Sequence, residues 1–478
     1  QLYLDGVLFT GSGGGNNYNL TGTELINTLS SVVVSSGGSI DPHSWVNVYG
    51  ELPTDSQDVE GESVVIDSSG NVYVTGAVGY GNISSVSTIR KLDPYGNVVW
   101  EQQLSYNDLN TSSGEVVAIA PDGGILWGSN LWNNSNYRLS LVKLDPTNGN
   151  KIWDILLAGN GNLMDIAVDS NGVSYLAVAG SPTIYAVDNS GNLLWNLNGS
   201  SHQANSVIDA GDHILIGDNN GRAVAIDKSG NLLWQNQVHT NTNNIWQIAT
   251  DGTDWYIADI GGLTVTKISG IDNSTVLWST LLTDTKGFYA QNLVYNNGYV
   301  YFESGGYDGN TQKSSFSYYK LSAADGSLVL SRSLENHDMG GWYWWGHHQI
   351  DVQPDYYTVT GYAYPTTSTN HSKMITAKFP TDGSLTGTIY GDFTYIENTT
   401  VSQSTNTNFG SGYQALSGSG LTTTATFAKN VVNLPNLLEF HNETYGASVW
   451  QFNPNGSVTF PDGSVQQTAY RGLGDFII

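Results

Sequence analysis

Apolar and polar residues alternate one by one over many short stretches of this chain, separated by turns that contain glycine. Val64–Gly76, VVIDSSGNVYVTG, is representative, with two alternating runs flanking an Asp-Ser-Ser-Gly-Asn centre. Such alternation puts one set of side chains on each face of a strand, and Asp or Asn with Gly supplies the tight connection of a hairpin. Ile166–Val178 (IAVDSNGVSYLAV) and Leu293–Ser304 (LVYNNGYVYFES) repeat the pattern. The chain reads as all-β, and Thr23–Val34 alone fits a short helix as well as a strand.

A second hairpin phrase recurs downstream of the first. Asp93–Trp100 reads DPYGNVVW, Asp145–Trp153 DPTNGNKIW, Asp188–Trp195 DNSGNLLW, Asp227–Trp234 DKSGNLLW and Ile271–Trp278 IDNSTVLW, followed by the weaker copies Ala324–Leu330 and Thr381–Gly387. The copies lie about 40 to 50 residues apart, the period of a four-stranded propeller blade. One such unit cannot bury both of its faces, so units stack around an axis. Seven copies predict a seven-bladed β-propeller with a small N-terminal segment and a small C-terminal β module.

Trp100, Trp153, Trp195, Trp234 and Trp278 share one register on the last strand of their units, which predicts packing between neighbouring blades. Ser44–Gly50, SWVNVYG, also looks like a last strand, with Trp45 in the repeat position. It is expected to complete the final blade and leave no open edge in the ring. The expected division is residues 1–43 as an attachment segment, 44–395 as the propeller, 396–420 as a Ser/Thr/Asn/Gly-rich connector and 421–478 as a C-terminal β assembly module. The terminal parts hold too few apolar residues for strong cores of their own, so their expected partners are other copies of this chain or other surface proteins.

Composition narrows the partners. With 42 acidic and 16 basic residues the formal charge is -26, which repels phosphate backbones and anionic headgroups, so neither nucleic acid nor membrane is an expected partner. Zero cysteines exclude disulfides, thiolate metal sites and cysteine nucleophiles. No apolar run approaches the ~18 residues of a bilayer span, and the first residues carry no basic, apolar leader, so the sequence is read as mature or trimmed.

The densest chemical feature is HDMGGWYWWGHH, His337–His348, between the sixth and seventh units. Flat aromatics beside polar groups hold sugar rings. Trp342, Tyr343, Trp344, Trp345, His347 and His348 are therefore the candidate glycan-binding residues, set against the plainer reading that they plug the channel. His337, Asp338, His347 and His348 match no zinc spacing, the Asp- and Asn-rich turns lack calcium-loop spacing, and no metal or cofactor is expected. No nucleophile–base pair or phosphate cradle stands out; Glu335, Asp351 and Asp355 near the aromatic run are the carboxylates a glycosidase would draw on.

Two resemblances add to this reading. Units of the form GNVYVTG and KLDPYGNVVW resemble bacterial propeller repeats of the SBBP and PQQ-like type over most of residues 60–390, which implies the fold and says little of function. Quinone enzymes of that superfold are commonly eight-bladed and often use paired cysteines and a metal, a pattern this chain departs from. Trp450–Tyr470, WQFNPNGSVTFPDGSVQQTAY, is similar to a phrase in tail-fibre and other structural proteins of tailed bacteriophages, notably marine ones, and LYLDGVLFTGSGGG resembles the start of such proteins. These resemblances imply a non-enzymatic virion structural or receptor-binding protein on a virion or cell surface, facing a host-surface glycan. The alternatives are a prokaryotic surface adhesin or filament subunit, and a polysaccharide-degrading enzyme.

Overall fold

The computed structural model describes residues 2–4, 7–9, 33–34, 43–49, 57–80, 85–106, 111–133, 136–199, 203–237, 245–259, 262–270, 275–284, 290–308, 313–336, 342–344, 349–365, 372–390, 393–399, 401–405, 421–422, 438–441, 451–452, 458–459 and 465–466. These residues form strands and turns only, arranged as seven blades. Blade I runs Gln57–Ile66, Val72–Tyr80, Ser85–Leu92 and Val98–Tyr106 from the axis outwards. Blades II to VI repeat this antiparallel meander, with innermost strands Thr111–Ile119, Asn160–Val168, Ala204–Asp209, Ile245–Thr250 and Leu293–Asn296.

Blade VII takes three strands from one end of the propeller and one from the other. Gln349–Val352, Tyr356–Pro365 and Lys373–Pro380 are followed, at the outer edge, by Trp45–Tyr49, in the register Met374↔Tyr49 to Lys378↔Trp45. The closing strand expected from SWVNVYG is thus in place.

The described residues share no single core. Seven apolar clusters each join one blade to the next, from Val59, Val74 and Met374 between blades VII and I to Tyr318, Tyr357 and Phe379 between VI and VII. This follows from sheets that bury both faces, so that the middle strands are buried along their length even where they carry polar residues. His213–Asp218 and Lys373–Pro380 are buried at every position.

The outermost strands explain the repeated tryptophans. In blades I to VI the pairing of the third and fourth strands slips by one residue next to the tryptophan register, as between Lys91↔Trp100 and Leu92↔Val98. The extra residue, Val99, Ile152, Leu194, Leu233, Leu277 or Val329, faces solvent, and its follower turns towards the next blade. Indole N–H groups of Trp45, Trp100, Trp153, Trp195 and Trp278 donate to Pro94, Pro146, Asn189, Lys228 and Ala323 carbonyls in the next blade's turn. Trp100 is buried, and Trp153, Trp195, Trp234 and Trp278 are part-buried because the outer edge stays wet. Trp234 departs from the pattern: its indole nitrogen has no partner, Trp255 donates to Gly270 O instead, and the two rings pack 5.4 Å apart.

Beyond Pro380 the chain turns back around the rim. Thr388–Tyr390 and Phe393–Glu397 extend blade VI, where Val33–Val34 also joins, and Ser402–Thr405 adds a fifth strand to blade V. Within the span expected to be a connector, Ser402–Thr405 is therefore a strand. Leu421–Thr422 pairs with blade III and Leu438–His441 with blade I, while Gln451–Phe452, Val458–Thr459 and Val465–Gln466 form a small sheet inside the phage-like phrase.

Candidate functional site: one mouth of the central channel

The two ends of the propeller differ. At one end the strands are joined by short turns such as Asp67–Asn71, where Asp67 accepts the N–H groups of Ser69 and Asn71 at 2.9 Å and Gly70 takes φ 82°. Those turns are locked to the neighbouring blade by the indoles and by lysines. Lys91 donates to Pro146 O, Lys267 to Ala323 O, Lys320 to Thr381 O, and Lys378 to Gly70 O and Pro94 O. The other end holds the connections between the second and third strands of each blade, such as Pro182–Thr183 and Asn219–Gly221, and the starts of the innermost strands. The aromatic run belongs to this second end.

Trp342–Trp344 is a short strand paired with Ala363–Pro365, so it forms the first part of the innermost edge of blade VII, ahead of Gln349–Val352. Trp345, His347 and His348 lie outside the described residues, as do His337 and Asp338, and Trp342, Tyr343 and Trp344 are described by their backbone pairing alone. On the partner strand only Gly361 and Tyr362 separate the two paired stretches.

The innermost strands of blades I to V each carry one extra residue near this mouth: Glu62, Glu115, Met164, Asn205 and Trp246. Below them a channel of about 540 Å³ is lined by all seven innermost strands, among them Ser63, Asp165, Gln247, Asn292, Gln349 and Asp351. Its polar groups are bonded across blade boundaries. Ser63 donates to Gln349 Oε1 at 2.6 Å, Asp165 accepts Val207 N at 2.9 Å, and the Ser206 hydroxyl lies between Asp165 Oδ2, at 3.0 Å, and Gln247 Oε1, with one proton to give to either. Asp351 accepts Ile66 N at 2.8 Å. This network ties the ring together at its axis.

Several buried carboxyls on the innermost strands and one on the second strand of blade VI have no basic partner among the described residues. Burial pushes Glu115 up to about 7, with the Glu60 charge adding to it, although Ser113 and Asn130 donate to it. Burial, and then the charges of Glu115 and Glu60, hold Glu62 well above the usual carboxylate range. Asp165 is pushed up to about 6 by burial, which outweighs its hydrogen bonds. Glu303 of blade VI is fully buried with both oxygens unpartnered, and burial raises it too. Asp351, one of the carboxylates considered for a glycosidase, is a bridging group raised by burial. Among the described residues no three His, Asp or Glu side chains converge as metal ligands.

Sequence reasoning passes over Glu60, Glu62, Glu115, Asp165 and Glu303. The signal for two of them is the Gly-Glu step before an apolar pair, GESVV at 61–65 and GEVV at 114–117. The bridging lysines have their own signal, a lysine two residues ahead of the turn start in KLD, KIS, KLS and KFP.

A family model described as "Outer membrane protein assembly factor BamB" matches residues 85–265, from the third strand of blade I to the third strand of blade V, in agreement with this architecture. Among solved structures, BamB from Moraxella catarrhalis is 13% identical, covering 66% of this chain and 95% of its own at a TM-score of 0.36. Selenomethionine-substituted virginiamycin B lyase from Staphylococcus aureus is 12% identical, covering 70% and 99% at 0.45. A protein of unknown function from Bacteroides caccae is 15% identical, covering 51% and 89% at 0.37. No curated protein matches the sequence. The chain is an all-β, seven-bladed propeller, and its residues 85–265 are similar to the repeats of that family model.

Proposed function

We propose that this chain is a non-enzymatic display and recognition protein of a virion or extracellular surface. It binds a surface glycan at the end of the ring that carries the aromatic run, and its terminal segments attach it to sister copies or to other surface proteins. The observation that carries this reading is the asymmetry of the propeller. One face is a set of turns clamped blade to blade by indoles and lysines around the ends of the innermost strands that line a channel of about 540 Å³, and the other carries Trp342–Trp344 and the supernumerary Glu62 and Glu115. Recognition residues sit on segments held by a rigid scaffold. The phage-like phrase at Trp450–Tyr470 supports the virion setting.

The test is retention of the purified full chain on a panel of immobilised bacterial capsular and exopolysaccharides, with reducing ends assayed in parallel. Saturable retention without new reducing ends is the expected result. Cleavage would favour a second reading, a polysaccharide-degrading enzyme, which the raised carboxyls Glu62 and Glu115 would serve as acid and base. No retention on any polysaccharide would refute glycan recognition.

A further inference from the structure

The chain beyond blade VII meets the outer edges of the ring in one register. Ile396 lies opposite Ser333 in blade VI, Ser404 opposite Leu281 in blade V, Thr422 opposite Asn198 in blade III and His441 opposite Gln103 in blade I. Each of those blade residues stands three places beyond the repeat position, which is Leu330, Trp278, Trp195 and Trp100 in turn. All four pairings are antiparallel, and the blades are visited in descending order.

The steps are regular. Ser404 follows Ile396 by 8 residues, Thr422 follows Ser404 by 18, and His441 follows Thr422 by 19. The first step crosses one blade boundary and each of the others crosses two, so the tail advances by about nine residues per blade. Since 8 residues suffice where the step is direct, the longer steps hold enough chain to stop at the blade between.

Among the described residues those two blades keep an open side. Lys151–Ala158 of blade II and Leu232–Gln237 of blade IV end their four-stranded sheets. An open strand edge presents backbone N–H and C=O groups to which an extended segment can add. Gln237 and Leu156 stand three places beyond Trp234 and Trp153, and Tyr413 and Val431 stand nine residues beyond Ser404 and Thr422. The stretches around them, SGYQ at 411–414 and KNVV at 429–432, contain no proline. Lys429 is the one charged residue between Glu397 and Glu439, so in a chain of net charge -26 this stretch adds no negative charge to the ring's outer edge.

We propose that the tail is a belt, in which residues 411–414 add an outer strand to blade IV and residues 429–432 add one to blade II. Every outer edge from blade VI round to blade I is then taken by the chain itself and closed to pairing with other molecules. The same chain is the occupant because pairings on the same ring hold each segment at both ends: 402–405 and 421–422 flank the first, and 421–422 and 438–441 the second. The belt is independent of glycan recognition.

The chain has no cysteine, so introduced pairs report proximity without background. In the full chain, Gln237→Cys is combined in turn with a cysteine at each of positions 411–415, and Ala158→Cys with a cysteine at each of positions 427–431. Leu281→Cys/Ser404→Cys and Thr283→Cys/Ser402→Cys occupy the matching places in blade V and set the yield of a true pair. Under mild oxidation each series is expected to close within one chain, at one or two adjacent positions, with the yield of the controls. Exchanging the two series should lower the yield at least tenfold. Hydrogen exchange followed by mass spectrometry needs no oxidation: Val431→Pro/Val432→Pro, which removes two donors from the blade II segment, should speed exchange within Lys151–Ala158 at least tenfold and leave Leu232–Gln237 unchanged.

Failure of either series while the controls close, bonds that link two chains, or equal yields after the exchange would each overturn the proposal. So would exchange within Lys151–Ala158 that the proline pair leaves unchanged.

Discussion

Replacing Gly96 by alanine probes how the ring is closed. Gly96 sits in the Asp93–Asn97 turn with φ +86°, directly under the indole of Trp45; a Cβ there would lie 2.7 Å from Cδ2 and 2.9 Å from Cγ. Trp45 cannot move away cheaply. It is 2% exposed, its Nε1 donates to Pro94 O at 3.2 Å, and the neighbouring Asn47 donates to Gly96 O at 2.7 Å.

Gly123 supplies the control, with φ +85° and open space for 4 Å around the point where a Cβ would stand. Alanine in this left-handed region costs about 1–2 kcal/mol at either site. Crowding the locked indole should add about 1–3 kcal/mol at position 96 alone. Guanidinium unfolding of Gly96→Ala and Gly123→Ala, each repeated in a Trp45→Ala background, isolates that excess as a coupling energy. The excess should vanish once the indole is gone. If Gly96→Ala costs no more than Gly123→Ala, or if the excess survives without Trp45, the closing role given to this contact is wrong.

Three further outcomes follow from the same structure. Glu101→Gln should cost about 3–5 kcal/mol in denaturant unfolding, because it leaves Arg90, 2% exposed and stacked 4.7 Å from the Tyr49 ring of the closing strand, without its carboxylate. Asp165 has a folded-state pKa raised from 3.8 to about 6, so the folded chain keeps a proton that the unfolded chain releases, and stability should fall as pH rises from about 4 to 6 and level off above. Allowing for water in the channel, its share is about 1–2 kcal/mol, and the fall should shrink by that much in Asp165→Asn when unfolding free energy is measured across this range. Deleting residues 421–478 should leave a folded propeller by circular dichroism, since every blade has four strands without them, while light scattering should show loss of assembly.

The ring is legible in the sequence because its signals are local and repeated. Asp or Asn with Gly marks most turns, and a tryptophan marks six of the seven outer strands at one register, with Leu330 in its place in blade VI. Ser44–Gly50 reads as a seventh outer strand because it carries the same signal far from its partners. The exchange of Trp234 for Trp255 is hidden: Trp255 takes the Gly270 carbonyl from within its own blade, and no local residue pattern marks that choice. Ser402–Thr405 reads as connector because all four residues are exposed; an edge strand held by backbone pairing and by Gln403, which bonds Leu328 N and Gly326 O, needs no apolar pattern. The unpaired buried carboxyls are invisible for a different reason. A buried Glu and a surface Glu look alike in a chain with 42 acidic residues, and only the register slip that makes Glu62 and Glu115 supernumerary tells them apart.

The central claim is that recognition belongs to the end of the ring that carries the aromatic run and not to the clamped face or the rim of outer strands. Equilibrium adsorption to the best-retained polysaccharide, or to cells displaying it, should be compared for three proteins: the unaltered chain, Trp344→Ala/Trp345→Ala, and Leu233→Ala/Leu277→Ala, whose side chains are 53% and 50% exposed on the outer strands. The account predicts that the tryptophan pair loses adsorption at least tenfold with little change in thermal midpoint while the leucine pair binds as the unaltered chain does. Adsorption that survives the tryptophan pair and fails with the leucine pair would contradict it.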